Sequence, residues 1–71
     1  NGYNDIVIRG DINKSRSFSA FYFKDNKLLA VDAVNSPREF MFTKMVLTKE
    51  QKLNKEILSD ISLDLKSAII N

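Results

Sequence analysis

Leu28–Phe42 reads LLAVDAVNSPREFMF, and the order of its parts decides the fold. Leu28 to Val34 is an apolar run of strand length, broken only by Asp32. Asn35-Ser36-Pro37 interrupts it. Pro37 suits a first helical turn, where its missing N–H costs nothing and its fixed φ is already helical. Ser36, followed three residues later by Glu39, predicts a capping box. The Ser36 hydroxyl would accept from the Glu39 N–H, and the Glu39 carboxylate would reach back to the N–H of Ser36. A strand therefore turns sharply into a helix. A capping box satisfies backbone donors, so this corner carries no chemistry of its own.

Upstream of the corner, Asp5-Ile6-Val7-Ile8-Arg9 reads as a strand that ends at the turn signal Gly10-Asp11. A polar loop runs from Gly10 to Arg16. Ser17 to Lys24, SFSAFYFK, is a second strand. Phe18, Ala20 and Tyr22 point one way, and Ser19, Phe21 and Phe23 the other. Aromatic residues on both sides require both faces to be at least partly covered. Asp25-Asn26 predicts a tight type I′ hairpin into the third strand, which begins at Lys27. There Leu29, Val31 and Ala33 should share one face, and Asp32 the other with Ala30 and Val34. Asp is disfavoured in strands, which places Asp32 at an exposed or edge position or gives it a partner.

Downstream, a helix from Pro37 should run to about Thr48. Its apolar residues (Phe40, Met41, Phe42, Met45, Val46 and Leu47) are broader than one packing stripe. The excess points to a surface that docks elsewhere. Lys49 to Lys55 reads as charged and irregular, and Thr48–Gln51 is only a weak capping box. Leu53, Ile57, Leu58 and Ile61 suggest a helical turn anchored by Leu58. Leu63, Leu65, Ala68, Ile69 and Ile70 suggest a last short helix. The sum is an α+β fold: a small antiparallel sheet of three strands followed by helices on one face.

At 71 residues the chain is one domain or a piece of one. It has no Cys and no His, which removes disulfides, thiolate chemistry, and the commonest general base and zinc ligand. The lack of Cys suits a reducing cytosol, and a cytoplasmic location is expected. No apolar run approaches the roughly 20 residues of a membrane span. A net charge of +2 with interspersed signs lacks the dense basic stripe of nucleic-acid modules and fits an acidic protein partner. The chain's two glycines, Gly2 and Gly10, make neither a dinucleotide fingerprint nor a P-loop. Asp60 with Asp64, and Asp5 with Asp11, lack metal-loop spacing and read as solvated carboxylates. No catalytic residue and no metal ligand emerges. Asn1-Gly2, a hairpin-turn dipeptide with no strand before it, is either an expression scar or frayed end, or the mark of a cut from a longer chain.

The ordered set VIRGD (Val7–Asp11), FSAFYF (Phe18–Phe23) and LLAVDAVNSPREF (Leu28–Phe40) resembles the C-terminal domain of FAD-dependent ferredoxin and rubredoxin reductases. Arg9, Gly10, Phe21, Tyr22, Ala30, Val34, Asn35, Pro37, Phe40, Lys44, Leu58 and Lys66 stand in the family's order, and nearly the whole chain is covered. The resemblance implies residues 1–71 are a single C-terminal domain whose first strand lies before Asn1 and whose FAD and NAD(P)H domains lie upstream. The parent would pass electrons from NAD(P)H through FAD to an acidic ferredoxin or rubredoxin, while this chain alone would bind neither cofactor. Its part would be to pack beside the flavin and help form the docking surface, with Lys44 and Lys66, and after them Arg38, facing the partner. The competing expectation is a stand-alone protein-interaction or dimerisation module. Without the missing strand, the edge beside Ile6 would be bare and copies would self-associate at high concentration.

Overall fold

A computed structural model of the chain describes residues 2–10 and 17–70. Its elements are strands β1 (Asp5–Gly10), β2 (Phe18–Lys24) and β3 (Lys27–Val34), helix α1 (Pro37–Lys49), strand β4 (Lys52–Leu53), helix α2 (Lys55–Ser59), a 3-10 turn (Leu65–Ala68) and strand β5 (Ile69–Ile70). The first three strands form an antiparallel sheet in the order β1-β2-β3. Of the predicted Gly10–Arg16 loop, Gly10 closes β1 and residues 11–16 lie outside the described residues.

The predicted hairpin is present. Asp25 and Asn26 have φ of 50° and 67°, both positive as a type I′ turn requires. Asn4 ties this turn to the start of β1: its side-chain amide donates to the Asp25 carboxylate (3.0 Å), and its carbonyl oxygen accepts from the Asp25 N–H (3.1 Å). Gly10 is held at φ +100°, and a Cβ there would sit 2.9 Å from the carbonyl oxygen of Ser17. The sharp end of β1 therefore requires glycine.

One face of the sheet makes the core. Phe21 and Phe23 are fully buried, with Val7 and Leu28 beside them. α1 lays Phe42 and Val46 over them, α2 adds Leu58, and the 3-10 turn adds Leu65 and Ala68. Burying one large apolar side chain is worth about 1.5–3 kcal/mol, so this cluster supplies the main drive to fold.

The alternation expected for β3 holds only in part. Tyr22 stands opposite Ala30, but Phe23 stands opposite Leu28, so Leu29 is an extra residue in a bulge. The bulge turns Leu28 into the core (4% exposed) and leaves Leu29 outside (39% exposed), contrary to the predicted face of Leu29, Val31 and Ala33. Asp32 is exposed on edge strand β3 and accepts a 2.6 Å hydrogen bond from the Tyr22 hydroxyl, so it is both an edge residue and a partnered one.

The helix starts where expected but without the expected cap. Pro37 opens α1 and the Phe40 N–H donates to the Ser36 carbonyl at 3.2 Å. The Ser36 hydroxyl instead faces the carbonyls of Val34 (3.0 Å) and Phe18 (3.3 Å), and Glu39 reaches Arg9. Tertiary partners replace the local ones because Arg9 is buried and needs a counter-charge. At the other end Glu50 adopts φ 51°, and the N–H groups of Glu50 and Gln51 return to Leu47 and Val46. Thr48–Gln51 thus closes a helix and opens none.

The tail also departs from expectation. Lys52–Leu53, expected to be irregular, pairs with Ile69–Ile70 as a short antiparallel ladder. The expected last helix shortens to the 3-10 turn at Leu65–Ala68. Two β-branched residues take the extended form once a partner strand is available. α2 forms around fully buried Leu58 and includes Ile57, but Leu53 belongs to β4 and Ile61 lies beyond its end; Asn54 caps it by accepting from the Ile57 N–H at 3.0 Å.

Candidate functional site

A buried arginine, a surface ion pair and the outer side of α1 are the three features to consider. The first centres on Arg9. It alternates with Val7, so its side chain leaves β1 on the core face and is buried. The guanidinium donates to the carbonyls of Leu58 (3.1 Å), Asp60 (2.9 Å) and Leu63 (2.7 Å), and pairs with Glu39 at 3.4 Å. One planar fork thereby joins β1, the end of α2, the turn after it and the first turn of α1. Sequence reading assigned Arg9 no role. Its place two residues after inward Val7 was the available signal, because a buried arginine demands partners.

The second group centres on Lys55 at the start of α2. Its ammonium bonds Asp5 (2.7 Å) and the Asn26 side-chain oxygen (2.9 Å), and lies 5.0 Å from the centre of the Phe23 ring. The hydrogen bond from Lys55 holds the Asp5 carboxyl below its ordinary range. Asp60 is likewise lowered, chiefly by the Ser62 hydroxyl and then its N–H. Both carboxylates are exposed and structural, as expected of solvated groups.

The third group is the outer side of α1. Phe40, Met41 and Leu47 are exposed there. Lys44 is exposed among them, its ammonium 5.4 Å from the centre of the Phe40 ring. Arg38, six residues before Lys44, is exposed and lines a groove with Arg9, Phe18, Ser36 and Ile61. Lys66 is also exposed, but it stands on the 3-10 turn, which packs against α2. Arg38 and Lys44 thus share one helix, and Lys66 belongs to a separate element. Such a surface offers cations beside apolar area and suits an acidic protein.

Among the described residues, no cluster of His, Cys, Asp or Glu is placed to hold a metal, and no helix is long and apolar enough to cross a membrane. Among the described residues there is no glycine-rich strand-to-helix loop. A phosphate cradle needs a glycine-rich strand-to-helix loop, whereas Gly10 is pressed against the Ser17 carbonyl and the strand-to-helix corner is Asn35-Ser36-Pro37.

Comparison with known proteins places this architecture. The chain is 38% identical over 68 residues to putidaredoxin reductase CamA of Pseudomonas putida, which covers 96% of this chain and 16% of that protein. It is 40% identical over 68 residues to rhodocoxin reductase of Rhodococcus erythropolis, again 96% of this chain and 16% of the relative. Among solved structures, a ferredoxin reductase of Rhodopseudomonas palustris superposes with a TM-score of 0.83 at 36% identity, over 97% of this chain and 17% of that one. The covalent putidaredoxin reductase–putidaredoxin complex superposes with a TM-score of 0.84 at 37% identity, over 94% and 16%. The chain therefore spans about a sixth of the length of these relatives. A three-stranded antiparallel sheet with helices on one face is the architecture these neighbours share. The family described as "Reductase C-terminal" matches residues 1–69, and with the fold in agreement the chain belongs to that family.

Proposed function

We propose that this chain is the non-catalytic C-terminal domain of an FAD-dependent reductase that moves electrons from NAD(P)H through FAD to a ferredoxin or rubredoxin. The observation that carries the reading is the extent of the likeness: 96% of the chain aligns with reductases that are named for their electron-acceptor proteins. The covalent complex of one such reductase with putidaredoxin supports an iron–sulfur protein as partner. FAD and NAD(P)H belong to the parent's other domains, and no step of the transfer is assigned to residues of this one.

Within that enzyme the domain supplies part of the docking surface. Lys44 and Lys66, and after them Arg38, present exposed positive charge to an acidic acceptor. Charges of this kind speed encounter and fix orientation more than they add affinity. In the complete reductase, Lys44→Gln and Lys66→Gln should each slow ferredoxin reduction, more at low salt than at high salt. Reduction of the flavin by NAD(P)H should be unchanged. Unaltered ferredoxin kinetics in both variants would remove these residues from the surface.

A further inference from the structure

Helix α1 buries Phe42, Thr43 and Val46. Phe40 stands outside that set. It is 49% exposed, so packing into the core does not account for a phenyl ring there. Exposed Lys44 follows at the i,i+4 spacing, which brings the two side chains onto one strip of the helix surface. Long helical side chains lean back toward the helix N-terminus, so the lysine stem is directed over the preceding turn. Its ammonium lies 5.4 Å from the centre of the Phe40 ring, within reach of a cation–π contact. Lys55 also lies over a ring, but that ring, Phe23, is buried, and Asp5 and Asn26 hold the same ammonium. Among the described residues the salt bridges engage Arg9 and Lys55, not Lys44. The difference matters for a charge meant to be felt by a partner. A carboxylate would hold an exposed ammonium and cancel much of its field. A ring holds the ammonium and leaves its charge whole, whereas a free lysine stem spreads it over many rotamers.

We propose that Phe40 is a positioning residue for docking of the electron acceptor: its exposed ring holds the Lys44 ammonium in one place on the outer side of α1, fully charged, before the acceptor arrives. This rests on the functional reading above, in which Lys44 faces an acidic protein. An exposed cation–π contact favours the held arrangement by about two- to fivefold. Encounters with an acidic partner depend on where the charge stands as well as on its sign, so the contact should appear in the association rate. Phe40 acts through Lys44 and needs no contact with the acceptor.

The test is a double-mutant cycle in the complete reductase, read as the rate of association with an acidic ferredoxin in stopped-flow mixing. Phe40→Leu keeps apolar bulk and helix propensity and removes the ring. At low salt it should slow association by about two- to fivefold, and Lys44→Gln should slow it at least as much. With Gln already at position 44, Phe40→Leu should have no further effect. Phe40→Tyr keeps a ring face and should restore the parent rate. At about 1 M salt, where the screening length is about 3 Å, the effect of Phe40→Leu should disappear. A parent-like rate for Phe40→Leu beside a slow Lys44→Gln would overturn the inference and leave the docking reading standing. Equal slowing by Phe40→Leu in both backgrounds would also overturn it, because the ring would then touch the acceptor directly. A parent-like rate for Lys44→Gln would remove that lysine from the docking surface, and the inference with it.

Discussion

Replacing Arg9 by Met keeps most of the side chain's length and removes its guanidinium. The carbonyls of Leu58, Asp60 and Leu63 then lose their donor, and Glu39 loses its counter-charge. A hydrogen bond to a charged group contributes about 1.5–3 kcal/mol, and the Leu58 carbonyl, in the buried bond of the set, should register at about 2 kcal/mol. Asp60 and Leu63 are exposed residues whose carbonyls regain water, so each loss is worth about 0.5–1 kcal/mol. The 3.4 Å Glu39 pair, partly open to solvent, adds no more than about 0.5 kcal/mol. The expected total is about 3–4 kcal/mol, a large share of the roughly 4–10 kcal/mol that a chain of this length possesses. Thermal unfolding followed by far-ultraviolet circular dichroism should show a Tm lower by about 15–25 °C. Arg9→Lys should recover less than half of that loss, because one ammonium cannot reproduce a planar fork reaching three carbonyls. A loss below about 1 kcal/mol, or full recovery by Lys, would refute the reasoning.

Two further outcomes follow from single residues. Gly10→Ala should cost about 2–4 kcal/mol in denaturant unfolding, because the new Cβ meets the Ser17 carbonyl at 2.9 Å while the backbone is held at φ +100°; a loss no larger than that of an exposed Gly2→Ala control would contradict it. Asp5 has its pKa lowered below 3.8 by Lys55, so its stabilising contribution is present above that value and is lost as pH falls through the folded-state pKa. Asp5→Asn should therefore be less stable than the parent at pH 7, with the difference shrinking as pH falls below 3.8; a difference that does not change with pH would show that the pair is not the cause.

The parts of the fold legible in the sequence are those set by neighbours along the chain. Asp25-Asn26 announced the hairpin because few other pairs accept two positive φ values, and Pro37 announced the start of α1. Leu58 was readable as an anchor from its apolar surroundings. The misses share a different origin. Ser36 and Glu39 had the spacing of a capping box, but the buried cation at Arg9 took Glu39 from outside the helix. Ile69 and Ile70 looked helical until β4 offered backbone partners. The bulge at Leu29 left no mark in a run where either of two leucines could turn inward. The candidate docking lysines were named through resemblance, and exposure is what the structure adds for Lys44 and Lys66. Arg9 was missed because its partners lie 30 to 54 residues further along.

We propose that this domain helps a flavoenzyme meet an acidic electron acceptor. The most direct test is anaerobic stopped-flow mixing of the NAD(P)H-reduced complete reductase with an acidic [2Fe–2S] ferredoxin over a range of ionic strength. The second-order rate should fall as salt rises, with a shallower salt dependence when Lys44→Gln and Lys66→Gln are combined. A salt dependence identical in the double variant and the parent, or a flavin that NAD(P)H fails to reduce, would contradict it.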